Sequence, residues 1–371
     1  MYLAWRAACG LVCLMVIWPC RGQEQEPCKT PKGTVGRCVR VRECGYILDL
    51  LRRDRLLFND TEYLEGLQCG TLPDGLSLVC CPQFVNEPNC GPSAFGVRIV
   101  GGNDTEIGEF PWMALLRFRG RNRKIHENCG ASLISKRFVL SAAHCFTAAY
   151  SKRWIIHSVR VAEWNFMNHR GSKDCKQVKG YDVPICRKDY NVARFALHPD
   201  YRVNSGVHVN DIALIELAAE VEYNIFVAPI CLPISNGTYQ LPASDGLDKE
   251  YTAAGWGSTD TGKESSSMSY RLMQINLRGF DHERCRRLFQ VPSGSGVGEG
   301  HICAGGVRDQ DTCHGDSGGP LMESAEGVVY LAGITSFGWP RCGKDGVPGV
   351  YTNVTHYMEW IEQETFRGIE V

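Results

Sequence analysis

The number and placement of cysteines constrain the fold of this chain more than any other feature. The 371 residues include nineteen cysteines, and three of them (Cys9, Cys13 and Cys20) lie in an apolar N-terminal stretch, which leaves sixteen for the rest of the chain. An even number at this density is typical of an exported protein held by disulfides. A zinc site has little support, because the sequence has no paired C-x-x-C or H-x-x-x-H spacing.

The N-terminus has the pattern of an export signal. Arg6 supplies a positive flank, the thirteen residues from Ala7 to Pro19 are almost all apolar, and small residues precede a cleavage point near Gly22. A membrane anchor is the alternative, but this run is shorter than the roughly 20 apolar residues that span a bilayer. We therefore predict a signal peptide over residues 1–22 and a secreted, extracellular protein that makes no use of a membrane.

The overall charge excludes one broad class of function. The formal net charge is −1, which argues against a general binder of nucleic acid or of anionic membranes. Hydrophobic residues form 44% of the chain and charged residues 22%, so the chain has the composition of a protein with a buried core. Specificity is therefore expected from a site rather than from bulk electrostatics.

Cysteine spacing divides the chain into two regions. Six cysteines crowd into the 54 residues from Cys28 to Cys81, a unit too small to be stable without cross-links. The adjacent Cys80 and Cys81 do not easily bond each other, and spacing alone does not choose their partners. Residues 82–96 are rich in Pro and Gly, as loops are. Beyond them, short β-type runs punctuated by Gly, Pro and Asn predict an all-β region that ends in a helix near residues 357–366.

The second region contains the groups that acyl transfer from a peptide requires. Ser317 lies in the run GDSGG, His144 in SAAHC and Asp211 in NDIAL. They are candidates for the nucleophile, its base and the carboxylate that orients the base, and the amides of Gly315 and Ser317 are candidates for the oxyanion hole. Each run alone has an ordinary structural interpretation, but the three together, in the order His, Asp, Ser, indicate a serine hydrolase.

One other hydrolase fold has to be weighed. The run around Ser317 also satisfies G-x-S-x-G, the nucleophile elbow of α/β-hydrolases, and both Asp345 and His356 follow it. That fold requires alternating strands and helices, and the sequence shows no such alternation. Only 54 residues follow Ser317. The elbow is therefore not favoured.

The residues from Ile99 to Val371 resemble the chymotrypsin-like serine protease family over their whole length. The matching blocks, in the order of the family, are RIVGG (98–102), PW (111–112), SAAHC (141–145), DIAL (211–214), GWG (255–257), CHGDSGGP (313–320) and PGVY (348–351). The resemblance implies two six-stranded antiparallel β-barrels with a C-terminal helix and a site in the cleft between the barrels. It implies His144 as general base and then acid, Asp211 as the group that orients it, Ser317 as nucleophile, and the amides of Gly315 and Ser317 as oxyanion hole.

The same resemblance implies what the pocket accepts. Asp311, six residues before the nucleophile, would lie at the base of the pocket and favour Arg or Lys at the cut site. Gly338 and Gly349 would form walls with room for a long side chain, and Ser336 would belong to the substrate-binding segment. Phe337 replaces the usual Trp beside the substrate.

The resemblance also implies an inactive precursor. Cleavage between Arg98 and Ile99 would free the amine of Ile99 to pair with Asp316, and this pair would order the pocket and the oxyanion hole. Because the cut follows Arg, the activating enzyme is expected to be trypsin-like itself.

The small region resembles an arthropod clip domain. The domain expectations are a clip domain over 27–82, a linker and activation segment over 83–98 and a serine protease domain over 99–371. The two family resemblances together imply the disulfides Cys28–Cys80, Cys38–Cys69, Cys44–Cys81, Cys90–Cys231, Cys129–Cys145, Cys285–Cys303 and Cys313–Cys342. Cys175 and Cys186 then remain as an extra pair, which would close a loop between His144 and Asp211.

Partners and accessory sites follow from the same resemblance. Clip-domain proteases act in haemolymph cascades, so the substrate would be a prophenoloxidase or a cytokine precursor of the Toll pathway, and a serpin would be the inhibitor. No cofactor is required, although some relatives bind Ca²⁺ on the loop that corresponds to Glu163. Sequons at Asn59, Asn103, Asn236 and Asn353 predict surface glycans. Two alternatives stay open, namely a catalytically inactive homologue that binds partners and a small region that acts as an independent antimicrobial or pattern-binding module.

Overall fold

A computed structural model describes residues 25–52, 58–92, 103–165, 175–177, 182, 184–234, 249–258, 269–291, 296–313 and 315–367. The predicted signal peptide over 1–22, the predicted cleavage point at Arg98 and Ile99, and the sequon at Asn236 lie outside these residues. The chain divides into two compact units, Met1–Val85 with Phe366–Val371 and Asn86–Thr365. Within the described ranges no helix is long and apolar enough to cross a membrane.

The first unit is a four-stranded antiparallel sheet with two short helices. Its elements are β1 (Pro27–Lys29), β2 (Val35–Arg40), a 3₁₀ turn (Val41–Glu43), α1 (Gly45–Leu51), α2 (Phe58–Gly66), β3 (Gln68–Thr71) and β4 (Ser77–Pro82). The strand order is β1-β2-β4-β3. Three disulfides, Cys28–Cys80, Cys38–Cys69 and Cys44–Cys81, enclose a small core. Ile47 and Leu50 of α1 pack into that core and are almost fully buried, which explains a helix that the sequence did not predict.

The second unit begins with the chain segment from residue 103 to residue 217. Its elements are β5 (Asn103–Asp104), β6 (Met113–Arg119), β7 (Ile125–Leu133), β8 (Phe138–Ser141), α3 (Ala143–Ser151), β9 (Ile155–Val161), β10 (Cys175–Lys176), β11 (Ile185–Cys186), β12 (Lys188–Leu197), β13 (Arg202–Asn204), β14 (Val207–Val209) and β15 (Ala213–Leu217). Six of these strands close a barrel in the order β12-β15-β8-β7-β6-β9. Side chains such as Leu116, Leu140 and Val159 fill it and are not exposed at all. The first predicted barrel is confirmed.

The rest of the second unit forms a seven-stranded sheet. Its elements are β16 (Glu250–Gly255), β17 (Met273–Arg278), α4 (His282–Leu288), β18 (His301–Gly305), β19 (Pro320–Ala325), β20 (Val328–Phe337), β21 (Pro348–Asn353), a 3₁₀ turn (Val354–Tyr357) and α5 (Met358–Arg367). The strand order is β18-β21-β20-β19-β16-β17-β5, so the short β5 is an additional strand. The helix predicted near residues 357–366 is α5.

The second barrel is less closed than the family resemblance implies. Its two outer strands, β17 and β18, meet only where Gly279 bridges Ala304 and the Phe280 amide donates to the carbonyl of Cys303 at 2.9 Å. The next residue, Asp281, accepts a hydrogen bond from the amide of Arg284 and caps α4. The chain therefore leaves the strand direction at once, and a longer ladder cannot form.

A short segment before the protease-like half is fastened to it. We call residues 86–92 the strap. The Cys90–Cys231 disulfide joins the strap to the segment after β15. The hydrogen bonds of the strap link Asn86 to Leu232 twice, Gly91 to Pro229, and Gly91 to Val329. An added Cβ on Gly91 would lie 2.2 Å from the carbonyl oxygen of Val329, so the close approach requires glycine.

The remaining disulfides of the second unit cross-link strands and loops around the cleft. They are Cys129–Cys145, Cys175–Cys186, Cys285–Cys303 and Cys313–Cys342. With the four named above, the pairs in the structure are the seven that the family resemblances imply and the extra pair Cys175–Cys186. Cys129–Cys145 links β7 to α3, and therefore fixes the start of the helix that carries His144.

Candidate active site

His144 and Asp211 meet because their strands are neighbours. β8 ends at Ser141 and pairs with β15 so that Ser141 lies opposite Ala213. His144 follows β8 and Asp211 precedes β15, which brings both to one end of the barrel. Asp211 Oδ2 lies 2.7 Å from His144 Nδ1, and Asp211 Oδ1 accepts a hydrogen bond from the His144 amide at 2.8 Å. The carboxylate thus holds both the ring and the backbone of His144.

The Asp211 carboxylate has no access to solvent. Its side chain is 0% exposed, and the hydroxyl of Ser336 donates to Oδ2. Burial alone would raise the pKa of Asp211, but the nearby His144 and the hydrogen bonds from His144 and Ser336 outweigh it and lower the pKa. Thr352 donates to the Asp211 carbonyl at 2.8 Å. Asp211 is therefore held as an anion in a fixed orientation.

Ser317 lies in a tight loop that contacts the same end of the barrel. Its carbonyl accepts a hydrogen bond from the amide of Gly130 in β7 at 2.8 Å. Gly318 has φ +76°, and an added Cβ there would lie 2.2 Å from the hydroxyl of Ser141. Only glycine fits this position, and the loop is thereby seated beside β7 and β8. Among the bonds of the described residues, no hydrogen bond joins Ser317 to His144.

The amides of the Ser317 loop divide into two groups. The amides of Asp316, Gly318 and Gly319 donate to backbone carbonyls at 2.8 to 3.0 Å. The amides of Gly315 and Ser317 make no such bond within the part of the chain that the structure describes. Gly315 has φ +108°, a backbone conformation that side chains other than hydrogen rarely tolerate. Two unused amides in one short loop are what an oxyanion hole requires.

Three of the predicted specificity residues, Asp311, Gly338 and Gly349, lie close together. An added Cβ on Gly349 would lie 3.0 Å from Asp311 Oδ1, and one on Gly338 would lie 3.8 Å from the Cα of Gly349. Asp311 Oδ2 accepts a hydrogen bond from the amide of Gly343 at 3.1 Å, whereas Oδ1 is buried and has no hydrogen-bond partner among the described residues. Burial raises the pKa of Asp311 to about 6, against the effect of the amides that donate to it. A buried oxygen without a donor is suited to a cationic group.

Asp316 is a second buried carboxyl group, near Asp311. Its oxygens accept hydrogen bonds from the amides of Gly257 at 2.7 Å and Cys313 at 2.9 Å. Burial raises the pKa of Asp316 even so. A cavity of about 380 Å³ is bordered by both Asp311 and Asp316. Ile99, the expected partner of Asp316, lies outside the described residues.

Sequence reasoning missed a second histidine at this site. His208 lies in β14, and its ring packs edge-on against His144 with 5.2 Å between the ring centroids. Its Nδ1 lies 3.7 Å from Asp211 Oδ2 and 3.1 Å from the hydroxyl of Tyr201. Burial lowers the pKa of His208, and His144 lowers it further, against the opposing effect of Asp211. Its position three residues before Asp211 was the only signal in the sequence.

Ca²⁺ binding near Glu163 stays a prediction, because residues 166–174 and 178–181 lie outside the described part of the chain. Glu163 is 3% exposed, and its carboxylate lies 3.0 Å from Arg160 Nη1 and 3.1 Å from Arg187 Nη1. Two guanidinium groups already neutralise it, whereas Ca²⁺ binds six to eight oxygen ligands. Within the described part of the chain, Glu163 belongs to no group of three candidate ligands. We derive no role for Ca²⁺.

Three of the four sequons, at Asn59, Asn103 and Asn353, lie in the described ranges. Asn353 is partly exposed, and its amide donates to the carbonyl of Glu299 at 3.1 Å. The sequon at Asn59 lies near the start of α2, and Asn103 lies in β5, but the side chains of both are not among those described. Glycosylation at these sites stays a prediction.

Comparison with known proteins agrees with this geometry. Residues 99–361 match the family model described as "Trypsin", and residues 28–81 match the "Regulatory CLIP domain of proteinases". The chain is a clip-domain serine protease. This clip-domain serine protease is 77% identical to "CLIP domain-containing serine protease B14" of Anopheles gambiae, and the match covers 100% of both chains.

Two further relatives of this clip-domain serine protease bear on its fold and its pathway. It is 34% identical to "Melanization protease 1" of Drosophila melanogaster, over 90% of this chain and 92% of the relative. Its structure is similar to that of the Drosophila Grass clip serine protease of the Toll pathway, with a TM-score of 0.63, 27% identity and coverage of 94% and 99% of the two chains. The chymotrypsin-like fold with a disulfide-rich clip domain is thus confirmed.

Proposed function

We propose that this chain is a secreted precursor of an active serine endopeptidase that cuts proteins after Arg or Lys once it has been cleaved after Arg98. The observation that carries the proposal is the buried, doubly bonded contact between Asp211 and His144 beside the Ser317 loop. Inactive homologues of such enzymes usually lack the nucleophile, and Ser317 is present here.

The proposed reaction uses these groups in sequence. His144 Nε2 removes the hydroxyl proton of Ser317 while the Ser317 oxygen forms a bond to the peptide carbonyl carbon. The carbonyl π electrons move to the oxygen, which the amides of Gly315 and Ser317 stabilise. His144 then gives its proton to the leaving amine as the C–N bond breaks, and water releases the acyl group by the same steps in reverse. Asp211 keeps the proton on His144 Nδ1 throughout.

The proposed specificity depends on Asp311. Its Oδ1 is buried without a hydrogen-bond partner among the described residues, it borders a cavity, and Gly349 lies beside it. An Arg or Lys side chain from the substrate would supply the missing donor and the missing positive charge. A neutral side chain of the same length would leave the carboxylate unpaired, which costs free energy.

The proposed activation depends on Asp316. The amine of Ile99, released by the cut, would pair with the Asp316 carboxylate and stabilise the loop that carries Gly315 and Ser317. The pKa of an α-amino group is near 8, so this ion pair would weaken at high pH. The activator is expected to be another trypsin-like protease, because it must cut after Arg98.

The proposed setting is an extracellular immune cascade in haemolymph. The names of the relatives support it, since one is a melanization protease and another is a Toll-pathway protease. A prophenoloxidase or a cytokine precursor would be the substrate and a serpin the inhibitor. Glycans at the sequons and export through the signal peptide over 1–22 are part of this proposal.

The test compares the precursor before and after a confirmed cut. The purified precursor is cleaved after Arg98, and hydrolysis of Arg, Lys and Phe amide peptides is measured, with Ser317→Ala cut in parallel as the control. We expect hydrolysis of the Arg and Lys peptides to appear only after the cut and to be absent in the control. No gain after cleavage would favour the non-catalytic homologue, and equal turnover of Phe and Arg peptides would remove the role given to Asp311.

A further inference from the structure

Two histidines share the buried carboxylate of Asp211. His144 Nδ1 lies 2.7 Å from Asp211 Oδ2, and His208 Nδ1 lies 3.7 Å from the same oxygen. One donor atom from each of the three side chains lies within 4.8 Å of the other two. A triad requires only the first histidine, so peptide hydrolysis does not explain the second.

The second histidine is held from several sides. The ring of His208 stacks on Phe337 with centroids 5.7 Å apart and an angle of 20° between the planes. The backbone carbonyl of His208 lies 2.8 Å from His301 Nε2, and its Nδ1 lies 3.1 Å from the hydroxyl of Tyr201. A ring placed in this way loses little further rotamer freedom when it binds a ligand.

Both rings are also accessible from the cleft. The side chain of His144 is 15% exposed and that of His208 is 20% exposed, whereas that of Asp211 is 0% exposed. The two imidazoles therefore lie between solvent and the buried negative charge of the carboxylate.

We propose that His144, His208 and Asp211 bind a divalent transition-metal ion such as Zn²⁺, and that the bound ion blocks catalysis. Two imidazole nitrogens and a carboxylate oxygen are a common ligand set for Zn²⁺ and are poorly suited to Ca²⁺ or Mg²⁺. Bonds of about 2.0–2.2 Å place two ligands of one ion at most about 4.3 Å apart. His208 Nδ1, at 3.7 Å from Asp211 Oδ2, is already within that limit, whereas His144 Nδ1 and Asp211 Oδ2, 2.7 Å apart, need to separate slightly to admit the ion.

The bound ion would block catalysis because of the position that it takes between the side chains. A bound ion takes the place of the proton between His144 Nδ1 and Asp211 Oδ2, so the ring is no longer oriented to receive the Ser317 proton. This consequence for activity rests on the proposed function, whereas the binding itself does not.

The binding test uses the full-length precursor with Ser317→Ala, which is catalytically silent. Isothermal titration with ZnCl₂ is expected to show a site that His208→Phe and His208→Gln weaken by about tenfold or more. His208→Phe keeps an aromatic ring against Phe337 without a donor nitrogen. His198→Gln is the matched control, because His198 belongs to no group of three donors in the described ranges. Circular dichroism identifies any variant that fails to fold.

Several outcomes would overturn the proposal. They are the absence of Zn²⁺ binding, equal affinity in a folded His208→Phe protein, or an equal loss of affinity in His198→Gln. In a second experiment the cut wild-type protein is titrated with ZnCl₂, and EDTA is added to reverse the effect, with MgCl₂ as control. Zn²⁺ binding without inhibition would remove the inhibitory role. A cut protein with no activity would instead contradict the proposed function, and calorimetry would still decide the metal site.

Discussion

The carboxyl of Asp311 makes ligand binding depend on pH in a defined direction. Its pKa is raised to about 6, so at pH 5 the empty pocket holds mostly the neutral acid. A cationic amidine pairs only with the ionised form, and we expect its dissociation constant to fall as pH rises from 5 to 7. The inhibition constant of benzamidine against the cut enzyme measures this. Asp311→Ser should weaken benzamidine by about 2–5 kcal/mol and flatten the profile. A flat profile for the wild type would contradict the assignment.

A single methyl group added next to Asp316 should leave cleavage after Arg98 intact but impair the activation that normally follows it. An added Cβ on Gly257 would lie 2.2 Å from Asp316 Oδ2, so Gly257→Ala displaces the carboxylate from the position that the Gly257 amide holds. We expect cleavage after Arg98 to proceed normally, but the cut protein to be roughly 10²- to 10³-fold less active because the oxyanion hole is not ordered.

The control for Gly257→Ala is the same substitution at Gly298, where an added methyl group has room. An added Cβ on Gly298 meets nothing within 4 Å, so Gly298→Ala should be cut and activated like the wild type. Amide-peptide hydrolysis after a cleavage confirmed by gel electrophoresis measures both variants. Full activity in Gly257→Ala would show that Asp316 does not need its present position.

At the scale of elements, the strap predicts what happens to the small unit after activation. Cys90 and Cys231 are 141 residues apart in the sequence and lie on opposite sides of the Arg98 cut. On a non-reducing gel the cut protein should therefore run as one species, and on a reducing gel as two. The double variant Cys90→Ala, Cys231→Ala should give two species on both gels. A single non-reducing band from the double variant would mean that another bond joins the pieces.

Elements differed in how far the sequence predicted them. Strands β8, β15 and β20 followed from β-type runs and α5 from helical spacing, whereas the six-stranded barrel followed only from the family resemblance. The chain order of His144, Asp211 and Ser317 indicated the site. Helix α1 was not predicted, because its stability comes from a core enclosed by disulfides rather than from a long periodic pattern. The incomplete ladder between β17 and β18 depends on the cap at Asp281, which is a local turn and not a pattern of strands.

His208 is a residue of the candidate site that the sequence did not predict. It lies in β14, a three-residue strand whose pairing with β13 is too short to be visible as a pattern. Its contact with His144 depends on the register between β8 and β15, a tertiary property that no local run encodes. Motif order located the catalytic candidates, but not the ring that stands beside them.

For the molecule as a whole, two buried carboxyls make stability depend on pH. Burial raises the pKa of both Asp311 and Asp316 above the unfolded value. Such groups bind more protons in the folded state, so the stability that they contribute is complete below the unfolded pKa and is lost as pH rises toward the folded pKa, which for Asp311 is about 6. For Asp311 the loss is on the order of 2–3 kcal/mol. Burial lowers the pKa values of His198, His208 and His301, which acts in the opposite direction over the same range. We therefore expect the free energy of unfolding of the precursor to fall between pH 5 and 7.5 relative to that of Asp311→Asn, in which this carboxyl is absent.

The cut form should lose less stability over this pH range than the uncut precursor. In a cut Ser317→Ala protein the amine of Ile99 would compensate the charge on Asp316, so urea unfolding should change less between the two pH values than it does in the uncut protein. Asp211 and Asp189 have lowered pKa values, and their contribution is lost only on acidification below this window, equally in both forms. Equal changes in the cut and uncut proteins would contradict the pairing of Ile99 with Asp316.

The strap has a consequence for how the enzyme meets other molecules. Because Cys90–Cys231 survives the proposed cut, activation leaves the mass of the protein and its rate of diffusion nearly unchanged. A target bound by the clip domain then faces the protease at an effective concentration set by the tether rather than by dilution in the surrounding fluid, and for short tethers that concentration reaches the millimolar range. On the proposed function, a surface that binds the clip domain would therefore concentrate peptide-bond cleavage at that surface.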